Sequence, residues 1–399
     1  MRVGIDYTAA VCQRAGIGRY TRELVTALLA LESTHQYVIF AATGGIKRQA
    51  SNVKHQASNV KRQTSNVKRQ ASSVKFRTIP ISDEWIARLW HRLRLPIPVE
   101  IITGPLDVFY SPDFVLPPTR RSTRTLLTIH DLSFLRYPEA FVPKLRRYLE
   151  RVVPCSIGRA DLVLADSAHT RSDIVSLLGV PPDKVQVLYS GVHPRFRPEA
   201  EAGERERLQT RYGIGDQPYV LSVGTVQPRK NYVRLIQAFT RLQAYKLADL
   251  QLADLQLVIA GGQGWLCQDI FAEAEKHDGR VRILGFVDDA DLPALYRNAA
   301  LFAFPSLYEG FGLPVLEAMA CGVPVVCSDG SSLPEVAGDA ALLVDPLDTG
   351  ALAEAMAHAL EDTGLRQGMI ARGRTQAARF TWEQAARQLL GILGVICDA

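Results

Sequence analysis

The sequence predicts an α/β protein built from two parallel-sheet halves of the doubly wound kind. Short apolar runs alternate with amphipathic helical patterns along nearly all of the 399 residues, as expected when crossover helices join parallel strands. The alternation breaks at Gly191 to about Gly215, a stretch rich in Pro, Arg and Glu, and then restarts. A chain of this length also exceeds what one hydrophobic core usually serves.

In the first half, strands are predicted at Val3–Tyr7, Tyr37–Ala41, Val108–Tyr110, Thr125–Ile129, Leu162–Ala165 and Val185–Leu188, where β-branched and aromatic residues cluster. Amphipathic helices fall between them, at Arg19–Leu31 and Ala168–Leu178 among others. After the break and a polar helix, strands are predicted at Tyr219–Val223, Gln256–Ala260, Val281–Leu284, Leu301–Phe304, Val323–Cys327 and Ala341–Val344. The last helix, around Trp382–Val395, is amphipathic and is expected to pack back on the first half. The expected domains are therefore 1–197, 198–380 and the returning helix 381–399. Ligands of such sheets bind outside the carboxyl ends of the strands, so a cleft between the halves is the expected site.

Apolar residues make up 47% and charged residues 22% of the chain, an ordinary globular composition. The net charge of +5 is local in origin: nine Lys/Arg and no acid lie between Lys47 and Arg77, so the remainder carries 5 − 9 = −4. The same segment, 47–75, holds a seven-residue repeat beginning Ser51-Asn52-Val53-Lys54-His55-Gln56-Ala57. Its Ala, Thr and Val positions alternate spacings of three and four, which would align them on one helical face. Such a basic helix could rest on anionic lipid, but Ser, Asn and Val are poor helix formers. A disordered or marginally helical insertion is the favoured reading. No aromatic residue interleaves the charges, so nucleic acid is not an expected partner. Leu247 to Gln256 is a second, smaller duplication. The six cysteines have no metal or redox spacing, the N-terminus reads as a strand, and no apolar run approaches a membrane span. The expectation is a cytoplasmic protein, peripheral on the inner face of the plasma membrane if the basic segment docks there.

The residues with the strongest chemical promise lie at Glu309-Gly310-Phe311-Gly312-Leu313-Pro314-Val315-Leu316-Glu317. Two carboxylates flank a Gly-x-Gly turn, and Pro314 stands where a helix begins, a position that tolerates its missing N–H. Glycines allow close approach of backbone amides, and a helix start directs free N–H groups and partial positive charge at a ligand. Hydroxyls at both ends with phosphates between would suit this arrangement, which describes a nucleotide sugar; two solvated glutamates at an ordinary turn are the alternative. Arg229 and Lys230 lie at a βα turn in Gln227-Pro228-Arg229-Lys230-Asn231, suited to a diphosphate or simply surface charge. His130-Asp131 ends a strand, as a ligand contact or as a helix cap with a bystander imidazole. Gly16-Ile17-Gly18 precedes a helix, as a phosphate loop or a plain turn.

Together these residues carry a resemblance. The second half is similar to the donor domain of retaining glycosyltransferases of family four, which have the GT-B fold of two facing Rossmann-like domains. The matching signatures are Gly224-Thr225-Val226-Gln227-Pro228-Arg229-Lys230-Asn231, Leu284-Gly285-Phe286-Val287, Pro305 to Pro314, and Glu317 to Val326. The first half fits through Gly16-Ile17-Gly18, His130-Asp131, Asp166-Ser167 and Tyr189-Ser190-Gly191-Val192. The resemblance implies that Glu317 binds ribose hydroxyls, while Glu309 and the amides of Gly310, Phe311, Gly312 and Leu313 hold the donor sugar. Arg229 and Lys230 would neutralise the diphosphate, His130 would lie beside the sugar at the reaction centre, and Gly16 and Gly18 would belong to the loop over the phosphates. Phe286 and Val287 would contact the base. Thr225 stands where many members have Arg, which shifts phosphate neutralisation toward Arg229 and Lys230 and resembles a branch rich in bacterial polysaccharide mannosyltransferases.

The expected activity is transfer of a hexose, mannose in the first place, from GDP-mannose or a UDP-hexose to a glycan or lipid-linked acceptor in surface polysaccharide synthesis. The anomeric configuration would be retained, and neither metal nor cofactor is expected. A nucleotide-sugar epimerase of the same fold and a non-catalytic nucleotide-sugar-binding protein are the alternatives.

Overall fold

The computed structural model describes residues 1–13, 16–44, 74–82, 85, 89–90, 95–242, 254–277 and 279–398. All but the last two residues of the basic segment 47–75, and most of the duplication at 247–256, lie outside the described residues. The chain forms two compact units, one comprising Met1–Leu132, Arg147–Gly191 and Trp382–Ala399, the other Ser133–Arg146 and Val192–Thr381.

The first unit is built on a parallel sheet of seven strands: β1 Arg2–Asp6, β2 Gln36–Ala42, β3 Val74–Ile79, β4 Val108–Ser111, β5 Arg124–Ile129, β6 Leu162–Ala165 and β7 Val185–Val187. Their order is β3-β2-β1-β4-β5-β6-β7. The central strands are covered on both faces, so Ile5, Phe109, Tyr110, Leu126, Leu127 and Val163 are fully buried. The helix Ile17–Ala30 contributes Tyr20, Leu24, Val25, Leu28 and Leu29 to this core at helical spacing. The helix Ala168–Leu178 starts at Ser167, whose hydroxyl accepts the Thr170 amide at 3.0 Å, and stops at left-handed Gly179. The final helix, Trp382–Asp398, belongs to this unit: Trp382 meets the Tyr20 ring edge-on at 5.8 Å, and Gln388 donates to the Val187 carbonyl at 2.7 Å.

One strand escaped the sequence reading. β3 pairs with β2 from Val74 to Ile79 and is an edge strand whose residues are half-buried or exposed. Lys75 and Arg77 extend the basic run, so charge masked the alternation, and charge is what an edge strand tolerates.

The second unit carries a parallel sheet of six strands: β8 Tyr219–Val223, β9 Gln256–Ala260, β10 Val281–Gly285, β11 Leu301–Phe304, β12 Val325–Ser328 and β13 Ala341–Val344. The order is β10-β9-β8-β11-β12-β13. The polar helix Glu204–Tyr212 is tied down by charge. Fully buried Asp291 accepts from Arg207 at 2.8 Å, Arg211 at 2.5 Å and the Tyr212 hydroxyl at 2.8 Å, while Arg297 pairs with Glu204 at 2.5 Å.

In each sheet the order reverses beside its first strand, between β1 and β4 and between β8 and β11. Crossovers leave in opposite directions there, which is where such sheets bind ligands. At the second of these points glycine is a steric requirement. A Cβ on Gly261, just after β9, would lie 1.9 Å from the Gly224 carbonyl oxygen just after β8. Gly261→Ala is expected to destabilise this unit by about 1–3 kcal/mol, visible as a lower melting temperature with a retained circular-dichroism spectrum. An unchanged melting temperature would show that the two loops have room to part.

Candidate active site

Two clusters stand at the carboxyl edges of the two sheets. In the second unit, β8 leads into Gln227 and a tight turn, Pro228–Lys230, which ends on Asn231 in the left-handed conformation (φ 61°). Asn tolerates that conformation better than most side chains, and here its amide group has a further task. It donates to the carbonyls of Pro305 at 3.0 Å and Pro346 at 2.7 Å. The Leu307 amide returns a hydrogen bond to the Arg229 carbonyl at 2.9 Å. The turn after β8 is thus fastened to the loop after β11, and the charged side chains of both loops are brought together.

Glu309 is the centre of that cluster. Its carboxylate lies 2.6 Å from Lys230 Nζ through Oε1 and 3.1 Å from Arg229 Nη1 through Oε2. The Ser306 hydroxyl donates to Oε1 at 2.5 Å. Lys230 Nζ also stands 4.7 Å from the centre of the Phe304 ring, a cation–π contact. Lys230 and Glu309 are each 8% exposed. Burial alone would raise the carboxyl pKa, but the Arg229 and Lys230 charges, with hydrogen bonds from Lys230 and Ser306, overturn that and hold it at about 2. Two cations and one anion leave the cluster with a surplus positive charge.

The chain then turns through Gly310 and Phe311 to Gly312, which has φ 116° and precedes the helix Leu313–Ala320 with Pro314 in its first turn. A Cβ on Gly312 would press within 2.7 Å of the tip of the Leu333 side chain, and the left-handed φ itself demands glycine. Ser332 clamps the turn by donating to the carbonyls of Glu309 at 2.9 Å and Phe311 at 2.8 Å. Glu317, one turn into the helix, is 2% exposed and accepts from the Tyr296 hydroxyl at 2.9 Å. Thr225 lies just beyond β8 with its methyl group against Gly264, and Val287 is buried beside an exposed Phe286 after β10. The parallel sheet therefore brings Thr225, Arg229, Lys230, Phe286, Val287, Glu309 and the 310–313 turn to one edge.

In the first unit, His130 follows β5 and is 8% exposed. Its Nδ1 lies 2.7 Å from Asp166 Oδ2 and its Nε2 lies 3.1 Å from the Pro112 carbonyl oxygen. Tyr20 meets the ring edge-on at 4.8 Å and Phe114 does so at 5.5 Å. Burial would lower the imidazole pKa, but Asp166, by charge and hydrogen bond, together with Asp113 and the Pro112 carbonyl, raises it to about 9. Gly16 caps the helix Ile17–Ala30 with φ 57°. A Cβ on Gly18 would fall 2.1 Å from the Gln13 carbonyl oxygen, so its glycine is already required by packing.

Sequence reasoning missed Ser306, Ser332, Tyr296 and the pairing of Asp166 with His130. Ser306 was within reach, since it lies in the same Pro305–Pro314 signature as Glu309. Tyr296 lies 21 residues before Glu317 with no local pattern to mark it. Asp166, though part of a matching motif, lies 36 residues after His130 with nothing local to pair the two.

The buried ion cluster implies an acid-sensitive stability. Glu309 is shifted below its ordinary value of 4.5, so its contribution is present above that pH and is lost as pH falls toward 2. Glu309→Gln removes the carboxylate that pairs with buried Lys230 and largely buried Arg229 and is expected to cost on the order of 3 kcal/mol at pH 7. The gap from wild type should close between pH 4.5 and 2, as read by chemical denaturation at fixed pH values. A gap constant over that range would mean that the carboxylate is not held charged by its neighbours.

Comparisons with known proteins identify the family of both units. The family described as "Glycosyl transferases group 1" matches residues 204–376, and the one described as "Glycosyltransferase Family 4" matches residues 14–196. The O-antigen chain mannosyltransferase B of Escherichia coli is 39% identical over 287 residues, covering 71% of this chain and 73% of that protein. Among solved structures, Anabaena HepE in complex with UDP and glucose superposes with a TM-score of 0.72 at 18% identity, over 99% of this chain and 100% of that one. Sucrose-phosphate synthase from Thermosynechococcus elongatus gives 0.71 at 19% identity, over 99% of both chains. At those identities the structural likeness speaks for the fold alone, and it is the GT-B fold. With two parallel-sheet units, both family matches and a relative at 39% identity, the chain belongs to the family 4, group 1 glycosyltransferases.

Proposed function

We propose that the chain transfers mannose from GDP-mannose to a glycan or lipid-linked acceptor in cell-surface polysaccharide synthesis, with retention of anomeric configuration and without a divalent metal. The observation that carries the nucleotide-sugar part is the Arg229–Glu309–Lys230 cluster at the edge of the second sheet. As the glycosidic bond breaks, negative charge accumulates on the departing phosphate, and cations fixed in advance stabilise that charge without reorganising. Glu309 aligns both cations and leaves them with surplus charge for the phosphates. Mannose is favoured by the likeness to the E. coli O-antigen mannosyltransferase. A UDP-hexose is the competing donor, supported by the UDP and glucose bound to the HepE structure.

In this reading Arg229 and Lys230 bind the diphosphate, with Thr225 beside them. Glu309 and the amides of Gly310, Phe311, Gly312 and Leu313 hold the sugar, the helix start adding its unpaired N–H groups. Glu317, its carboxylate oriented by Tyr296, takes the ribose hydroxyls, and Phe286 and Val287 meet the base. His130 stands at the reaction centre, and Gly16 and Gly18 belong to the phosphate loop. The acceptor would attack from the side of the leaving group, so Glu309 grips the sugar and forms no bond to it.

The test is turnover of GDP-mannose and UDP-hexoses with a glycan acceptor, in excess chelator, with product configuration read by NMR. Lys230→Ala should lower kcat on the order of 10²-fold while the protein stays folded. Activity within a few-fold of wild type would remove Lys230 from the chemistry, and turnover lost to chelator would overturn metal independence. Isomerisation of the donor alone would favour the epimerase. The nine Lys/Arg between Lys47 and Arg77 support a separate proposal, docking on anionic lipid. Deleting 47–73 should abolish sedimentation with phosphatidylserine vesicles, and unchanged sedimentation would refute it.

A further inference from the structure

The hydrogen-bonding demands around His130 constrain where its protons lie. Nε2 faces the Pro112 carbonyl oxygen at 3.1 Å, and a carbonyl can only accept, so Nε2 carries a proton. Nδ1 faces a carboxylate oxygen at 2.7 Å. A bare nitrogen lone pair against a bare carboxylate would repel, so a second proton lies on that line. Asp166 is 5% exposed, and its other oxygen, Oδ1, is buried with no hydrogen-bonding partner among the described residues. The imidazole is therefore the main source of compensation for that carboxylate, and removing the shared proton would leave a buried charge uncompensated.

The other groups around the ring reinforce this. Asp113, after β4, adds a second negative charge acting on the imidazole, and Asp131 is adjacent in sequence and acts on Asp166. From the helix Ile17–Ala30, Tyr20 presents its ring edge-on. Its phenol, like that of Tyr110 bonded to it at 3.3 Å, is pushed upward by burial and stays neutral. The Thr170 hydroxyl donates to the His130 carbonyl at 3.3 Å and fixes the backbone.

We infer that Asp166 is a positioning residue that keeps His130 doubly protonated through neutral pH, so that His130 acts as an oriented cation and hydrogen-bond donor and not as a base for the acceptor hydroxyl. The inference deepens the proposed function and rests on its placement of His130 at the reaction centre. It assigns Asp166 a task in the reaction although it need not touch substrate.

The test combines ¹⁵N NMR of the histidine rings with rates in the intact protein, the His130 signal being identified by its loss in His130→Gln. In wild type, His130 should show imidazolium shifts at pH 8. In Asp166→Asn it should titrate near or below the ordinary value of about 6.5. The rate of Asp166→Asn relative to wild type should then fall on the order of tenfold between pH 6 and pH 8, whereas a merely structural loss would be the same at both. Asp166→Glu, which restores the carboxylate, should recover the wild-type pH profile. A neutral His130 ring in wild type at pH 8, or an Asp166→Asn deficit independent of pH, would overturn the inference. The wild-type NMR titration needs no turnover, only the folded His130→Gln protein to assign the signal. Failure of GDP-mannose and UDP-hexoses to turn over would thus sink the functional reading while leaving this measurement decisive on its own.

Discussion

A carboxylate enclosed between a lysine and an arginine is the constraint around which the second unit is arranged. Burying three charges is costly unless each finds a partner, and here the partners come from loops 79 residues apart in sequence, with Lys230 after β8 and Glu309 after β11. That pairing requires both loops to leave neighbouring strands on the same edge, which a parallel sheet with its switch point between β8 and β11 provides. It also requires the turns to be tight, and the left-handed Asn231 and the glycine at 312 meet that need. Serines then take up what remains, Ser306 on the carboxylate and Ser332 on the carbonyls behind it.

The first unit solves a related problem in another way. It also places a charge-bearing pair at the carboxyl edge of a parallel sheet, but with one imidazole against one carboxylate and aromatic edges around them. The second unit tolerates a net positive cluster because cations outnumber the acid. Around the His130–Asp166 pair the named charge-bearing neighbours, Asp113 and Asp131, are carboxylates, so the ring is the group that must adjust. Burial has the same sign of effect on both carboxylates; the number and nearness of cations separate their outcomes.

Legibility in the sequence followed the range of each interaction. Central strands such as Thr125–Ile129 and Leu301–Phe304 are short runs of β-branched, aromatic and other apolar residues, and the helix Ala168–Leu178 was readable end to end, because periodicity and turn chemistry are local. The Glu309–Pro314 elbow was legible for the same reason: glycine and proline declare backbone needs within a few residues. β3 was obscured by its own lysine and arginine. The ion cluster was legible as two separate motifs but not as a contact, since nothing local links Lys230 to Glu309. The partners of His130 and Glu317 arise from chain segments that only the folded sheet brings together, and their residue types, one Asp and one Tyr, are unremarkable in isolation.

The stitching of the 227–231 turn to the 305–309 loop has an evolutionary consequence. Asn231 grips the Pro305 carbonyl and Leu307 returns a bond to Arg229, so neither loop can shift without straining the other. Substitutions in the two loops should then show strong epistasis, and a lineage that remodels one of them must travel through paired replacements in both. Libraries that randomise one loop against a fixed partner would sample mostly inactive combinations, whereas transplanting both loops together keeps their mutual fit.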